Sequence, residues 1–303
     1  MGDVEELPAA WLQWLELNKG RSPATVGQYR MHLRRLHEWL DGRGSSLAEA
    51  GLAELEEFSG AEAHRMGLSP RSRRGLVAAI RGFYGWMRRT GRRLEDPAAL
   101  LEYPKAGFRL PRAATLHGAE KLLMAPDMST FLGVRDAAVL AVMIGIGPRL
   151  SGLVGMNESS LVWSRDEDGR ERLLVRLIEK GDKERLIPAP GVVRLYVRAY
   201  LGHEALDGID RTLENGDRVL WVSTANQQVP PHDYRGEHRR LARRSVQDLV
   251  ARHAKSAGLP PDQRHPHALR HLFGTELAED ERAPEMRREL MGHADTRAGE
   301  VYV

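Results

Sequence analysis

Residues 136–153 read D-A-A-V-L-A-V-M-I-G-I-G-P-R-L-S-G-L. From Ala137 to Gly147 every side chain is apolar or absent. A helix that is hydrophobic all round has to lie inside something. The stretch is about half the length needed to cross a bilayer, so that surrounding is a protein core. Gly145, Gly147 and Pro148 interrupt the run, and Arg149 follows at once. Two readings of Arg149 stay open at this point. It can be an ordinary cation at a helix C-terminus, where the macrodipole favours it. Alternatively it is a charge set among apolar groups for a chemical task, and then it needs a buried partner.

Towards the C-terminus the signals are mixed. Leu173–Ile178 and Arg185–Pro188 read as strands around Gly181-Asp182, a pair suited to a type II′ hairpin, and Val219–Ser223 is a third short strand candidate. Helices are expected near Arg239–Ala257, bounded by Gly258, then at Ala268–Glu279 and Glu285–Met291. Polar residues stand out along this path. Lys180 sits at the hairpin in E-K-G-D-K-E-R, with Lys183 and Arg185 as competitors. His267 and Arg270 share one helical face because they are three apart. His293 lies in L-M-G-H, and Tyr302 follows nine residues later. His265 and His271 read as structural histidines.

Towards the N-terminus, up to about Gly91, the chain reads as helices only. Ser22-Pro23 and Ser69-Pro70 each pair an N-cap with a proline at the first helical position. Val26, Tyr29, Leu33, Leu36 and Leu40 form one apolar stripe, and Leu76, Ile80, Phe83 and Met87 form another. Shorter helices fit around Ala9–Leu17 and Leu52–Met66. The expectation is a compact four-helix bundle over residues 1–95. From Asp96 to Thr115 the interruptions Pro97, Pro104, Gly107 and Pro111 mark a linker over 96–115, which leaves 116–303 as a second, mixed domain.

Charge points to a partner. The formal net charge is only +3, yet Arg65 to Arg112 holds twelve Lys/Arg against three acids. Arg71, Arg73, Arg74, Arg81 and Arg88 on the fourth helix, with Lys105, Arg109 and Arg112 in the linker, are candidate contacts to DNA phosphates. Arg239 and Arg240 extend that set into the second domain. With no cysteine, disulfides and thiolate metal sites are excluded and a reducing cytoplasm is the expected compartment. The N-terminus lacks the basic start and apolar run of a signal peptide, and neither a metal, a cofactor nor a membrane is expected.

In order and context these blocks resemble the tyrosine recombinase (phage integrase) family, with Xer-like bacterial enzymes nearest in pattern. G-P-R-L-S-G-L is similar to the family's G-[LM]-R-x-S-E-L helix, and E-K-G-D-K-E-R to its G-K-G-x-K-x-R hairpin. H-A-L-R-H-L-F is similar to H-x-L-R-H-x-F/A, and L-M-G-H with a tyrosine nine residues on to L-G-H…Y. The resemblance covers roughly residues 120–303, and less specifically the helical N-terminal region. It implies a SAM-like, all-α core-binding domain, followed by a mainly α catalytic domain with a small antiparallel sheet, the DNA breaking-rejoining fold. It also implies site-specific recombination, as integration, excision or dimer resolution, through a 3′-phosphotyrosine. Tyr302 would be the nucleophile and Arg149 and Arg270 the clamp on the phosphoryl oxygens. Lys180 would protonate the leaving 5′-oxygen, His267 would assist proton transfer, and His293 would hydrogen-bond a phosphoryl oxygen. Double-stranded DNA with a specific site is the implied partner, bound by a homotetramer.

The chain departs from the pattern at three places. Gly152 stands where the family usually has a carboxylate, Pro148 precedes the first arginine, and only Val303 follows Tyr302. From that last feature the free protein is expected to be monomeric. A type IB topoisomerase, or a catalytically silent DNA-binding protein of recombinase descent, are the rival functions.

Overall fold

The computed structural model of the chain describes residues 3–105, 115–179 and 183–279. The chain forms two compact units, Met1–Arg109 and Leu110–Val303.

The first unit is helical throughout: α1 (Asp3–Lys19), α2 (Pro23–Asp41), α3 (Leu52–Glu57), α4 (Ala63–Arg65) and α5 (Pro70–Arg89). Both expected caps form. The Ser22 hydroxyl accepts from the Thr25 amide at 3.3 Å and Ser69 from the Ser72 amide at 3.1 Å, each satisfying an orphan donor at a helix start. The apolar stripes meet in one core, where Trp11 stacks on Tyr29 at 5.5 Å and meets Phe83 edge-on at 5.7 Å. Between α3 and α4 lies a π-helical turn, Phe58–Glu62, absent from the sequence reading. Its wider ring joins the Ala63 amide to the Phe58 carbonyl. That one-residue shift puts Ala63 rather than Glu62 under Phe58, so an alanine instead of a carboxylate enters the core. The core extends past residue 95. Ala98 and Leu101, inside the stretch read as linker, are fully buried in it.

The second unit is built on α7 (Phe131–Ile146), preceded by α6 (Leu116–Leu123) and followed by the short α8 (Leu150–Val154). Twelve of the residues of α7 are buried, as an all-round apolar helix requires. Among the described residues one sheet forms, an antiparallel meander in the order β1 (Leu161–Arg165), β2 (Glu171–Glu179), β3 (Lys183–Pro188). Leu161, Val175 and Ile187 face one another across it and point into the core. Then come α9 (Gly191–Leu201), α10 (Glu204–Asp207), α11 (Arg243–Ser256) and α12 (Pro266–Glu279).

Two expectations need correction. Val219–Ser223 is not a ladder strand; its buried residues make isolated bridges only. Side chains take the carbonyls a neighbouring strand would have used: Arg211 binds that of Val219, Tyr200 that of Leu220 and Arg135 that of Val222. The third strand is β1 instead. The helix expected from Arg239 begins only at Arg243, because Arg240 is extended and bridges to Val222. The helix read at Glu285–Met291 and the turn Gly181-Asp182 lie outside the described residues.

A buried ionic cluster ties α7 to α11. Asp136, 1% exposed, accepts two bonds from Arg135, one from Arg252 at 2.8 Å and one from His253 at 2.9 Å. Burial pushes its carboxyl up, but the His253 bond and the Arg135 guanidinium outweigh that and hold it below its ordinary value.

Candidate functional site

The G-I-G-P-R stretch makes a corner. Gly147 ends α7 in the left-handed region, φ 61°, where a side chain is disfavoured. A Cβ there would also lie 2.3 Å from Phe273 Cδ1 on α12. Glycine therefore lets α12 seat directly on the corner. Pro148 and Arg149 continue the chain, and Arg149 is extended, with φ −65° and ψ 148°, as the N-cap of α8. It lies two residues past the C-cap of α7 and at the N-cap of the five-residue α8. Its side chain is half-buried.

Arg270 comes to the same corner from α12. It is 5% exposed, and its guanidinium donates to the carbonyl of Gly147, two residues before Arg149. One N–H of the fork is thereby fixed by backbone, which orients the remainder. His267, one turn earlier, is exposed and meets the buried His271 ring edge-on at 4.2 Å. His265 Nδ1 accepts from the Ala268 amide at 3.1 Å and so caps the start of α12. The corner thus carries two arginine forks and an exposed imidazole, a set suited to an oxyanion and a mobile proton. No side-chain pattern marks the Gly147 carbonyl that holds Arg270 or the Phe273 ring that packs on Gly147. Lys180, His293 and Tyr302 lie outside the described residues.

The Phage integrase family profile matches residues 115–303, and its N-terminal SAM-like domain profile matches residues 9–91. The chain belongs to the phage integrase family. Tyrosine recombinase XerD of Xanthomonas campestris pv. campestris is 33% identical over 296 residues, covering 95% of this chain and 84% of that one. Tyrosine recombinase XerD of Yersinia pestis is 32% identical over 292 residues, covering 95% and 88%. Among solved structures, the XerH site-specific recombinase bound to palindromic difH substrate, a post-cleavage complex, matches at TM-score 0.72 with 18% identity. That match covers 97% of this chain and 80% of the other. A lambda integrase dimer bound to a COC′ core site matches at TM-score 0.67 with 17% identity, covering 99% and 77%. These structural likenesses establish the fold, an N-terminal SAM-like domain plus the catalytic domain. As a member of the tyrosine recombinases within this family, the chain is a site-specific DNA recombinase, an enzyme that cuts and rejoins DNA.

The expected DNA contacts of this integrase-family chain fall into three groups. Arg71, Arg74, Arg88 and Lys105 are exposed, and Arg73 and Arg81 are half-buried. Arg239 lies 3.8 Å over the Tyr234 ring. Arg240 differs from all of these. Its N–H groups bind the carbonyls of Val154 and Met156, the Asn157 side chain and both Glu237 oxygens, at 2.6–3.0 Å. With its donors engaged inside the protein it braces the loops around α8, which is a structural task. Arg109 and Arg112 lie outside the described residues. Among the described residues no group of His, Asp or Glu is arranged to hold a metal ion, and no helix is long and apolar enough to cross a membrane.

Proposed function

We propose that Tyr302 attacks the scissile phosphorus and becomes joined to a DNA 3′-phosphate, releasing a 5′-hydroxyl. The phosphotyrosine keeps the energy of the broken diester, so a second 5′-hydroxyl reverses the attack on a new strand without nucleotide hydrolysis. Arg149 and Arg270 bind the non-bridging oxygens as charge builds on them, His267 assists proton transfer and His293 donates to a phosphoryl oxygen. Lys180 supplies the proton to the leaving oxygen. The observation that supports this reading is the Arg270–Gly147 bond, which holds the Arg270 guanidinium at a backbone carbonyl two residues before Arg149.

The division of labour we propose is a core-binding domain over 1–95, whose core also takes in Ala98 and Leu101, a basic linker over the rest of 96–115 and a catalytic domain over 116–303. Arg71, Arg73, Arg74, Arg81, Arg88, Lys105, Arg109, Arg112 and Arg239 contact the backbone of double-stranded DNA. Reciprocal exchange between two duplexes breaks four strands and so needs four tyrosines, which makes the working form a tetramer of this chain on two paired sites. The cytoplasm is the compartment in which such DNA is reached. Because cationic side chains supply the electrostatic stabilisation, cleavage proceeds in EDTA.

The test is a nicked suicide duplex carrying the recombination site, incubated with the protein in EDTA. The expected result is a covalent adduct whose mapped peptide contains Tyr302 and which Tyr302→Phe abolishes. Attachment at Tyr196 or Tyr234, or strand cleavage that absolutely requires magnesium, overturns the mechanism. Relaxation of supercoiled DNA without any specific site would favour a topoisomerase instead.

A further inference from the structure

One face of α5 carries Arg71, Arg74, Ala78, Arg81, Gly85 and Arg88, spaced by three and four residues in turn. That spacing draws a straight stripe along a helix. Two arginines of the stripe are not loose. Arg74 donates to the Pro104 carbonyl at 3.1 Å and Arg81 to the Leu101 carbonyl at 2.8 Å. Their guanidinium carbons also lie 5.2 Å and 5.4 Å from the centroid of one ring, that of Tyr103.

The distances explain the arrangement. Arg74 and Arg81 are seven residues apart, about 10 Å along a helix. The earlier arginine meets the later carbonyl, Arg74 that of Pro104 and Arg81 that of Leu101. Residues 101–104 therefore run antiparallel to α5, anchored below by the buried Leu101. Tyr103 falls between the two carbonyl contacts, within reach of both cations, and the residue remains 43% exposed.

From this geometry we propose that Tyr103 is a positioning residue for DNA binding. It holds Arg74 and Arg81 aligned along the α5 stripe so that their remaining N–H groups meet phosphate oxygens. The proposal rests on the reading of α5 as a DNA-contacting face. Each guanidinium has five N–H donors, and one carbonyl bond leaves most of them for a ligand. An arginine held in place has already lost the rotamer freedom that a loose one loses on binding. The attraction to the ring face needs the aromatic quadrupole and not the hydroxyl, so phenylalanine should serve as well as tyrosine.

The experiment uses the full chain and a fluorescein-labelled random-sequence duplex, with affinity read by anisotropy over a range of salt concentrations. Tyr103→Ala is expected to weaken binding about three- to tenfold, while Tyr103→Phe stays close to wild type. Added to Arg74→Ala/Arg81→Ala, the alanine at 103 is expected to cost almost nothing more, because the residues it positions are gone. Thermal unfolding of Tyr103→Ala should match wild type closely. A lowered melting temperature with normal affinity would make Tyr103 merely structural and overturn the proposal. So would additive losses, or equal losses in the alanine and phenylalanine variants. If the double arginine variant loses affinity and Tyr103→Ala does not, the proposal alone fails. If the double variant binds like wild type, the reading of α5 falls and takes the proposal with it.

Discussion

On α5, Arg71, Arg74 and Arg88 stand in solvent; Arg74 and the half-buried Arg81 are held by one tyrosine ring and by a backbone carbonyl each. At the α7–α8 corner Arg270 is 5% exposed and bonded to a carbonyl that a left-handed glycine presents. Taking a guanidinium out of water costs several kcal/mol unless its partners replace the lost hydration. A surface arginine avoids that cost, is screened by salt, and adds its increment of affinity almost independently of its neighbours. The buried one is worth its cost only where the position of the charge matters more than its presence. The two regions carry the same side chain at opposite settings of this balance.

Removing one arginine from each region breaks the comparison most directly. Arg270→Ala should slow cleavage by ~100–1,000-fold, as loss of a preorganised oxyanion contact does, and change affinity only modestly. Arg88→Ala should weaken binding about equally on all sequences and lower the salt slope by about one. Single-turnover cleavage at saturating protein, set beside anisotropy titrations at fixed salt, separates the two effects. Equal losses of rate and affinity in Arg270→Ala would place Arg270 with the arginines of α5.

A smaller effect sharpens the point, because it leaves every arginine in place. Gly147→Ala puts a methyl group into Phe273 and a side chain into the left-handed region. The conformational cost is roughly 1–2 kcal/mol and the overpacking roughly 1–3 kcal/mol, so a destabilisation of about 3 kcal/mol is expected. Urea unfolding would measure it. Adding Phe273→Leu should recover part of the packing loss and none of the backbone cost. An unchanged midpoint in Gly147→Ala would mean that the corner is not constrained as described.

The same contrast separates what was legible in the sequence from what was not. Capping serines, apolar stripes and the buried run of α7 are written in side-chain type, and α2, α5 and α7 follow from them. Arg149, His267 and Arg270 stand out in the sequence as candidates because their side-chain types and contexts resemble the family's motifs. Gly147 appeared only as a helix breaker, because a backbone carbonyl used as an acceptor leaves no mark on residue identity. β1 was lost for a related reason. L-V-W-S-R is half polar, and its strand character comes from pairing with β2. Val219–Val222 misled in the other direction. It is apolar and buried like a strand, while its carbonyls belong to Arg211, Tyr200 and Arg135. Arg240 looked like a phosphate contact because charge shows in the sequence, whereas its five internal bonds do not.

Acid should separate the two units, though with the smallest effect. The N-terminal unit buries His32 at 3% exposure between α2 and α5, with neither ring nitrogen hydrogen-bonded. Burial first, then the Arg35 guanidinium, holds its pKa below the ordinary 6.5. Below about pH 6.5 the unfolded chain therefore takes up a proton that the folded one refuses, and stability falls with pH until the folded value is passed. One proton limits that slope to about 1.4 kcal/mol per pH unit. Asp136 in the second unit behaves differently, because its partners keep it ionised below the ordinary carboxylate value of 3.8. The stability it lends is intact above that value and is lost only as pH falls through the lower folded one. Between pH 7 and pH 5 the decline due to these two groups should thus come from His32 alone. Denaturant midpoints of the full chain across that range test this, with His32→Leu expected to flatten the decline. If wild type and His32→Leu lose the same stability, His32 is not the group that titrates. The N-terminal unit would then owe its acid response to other groups.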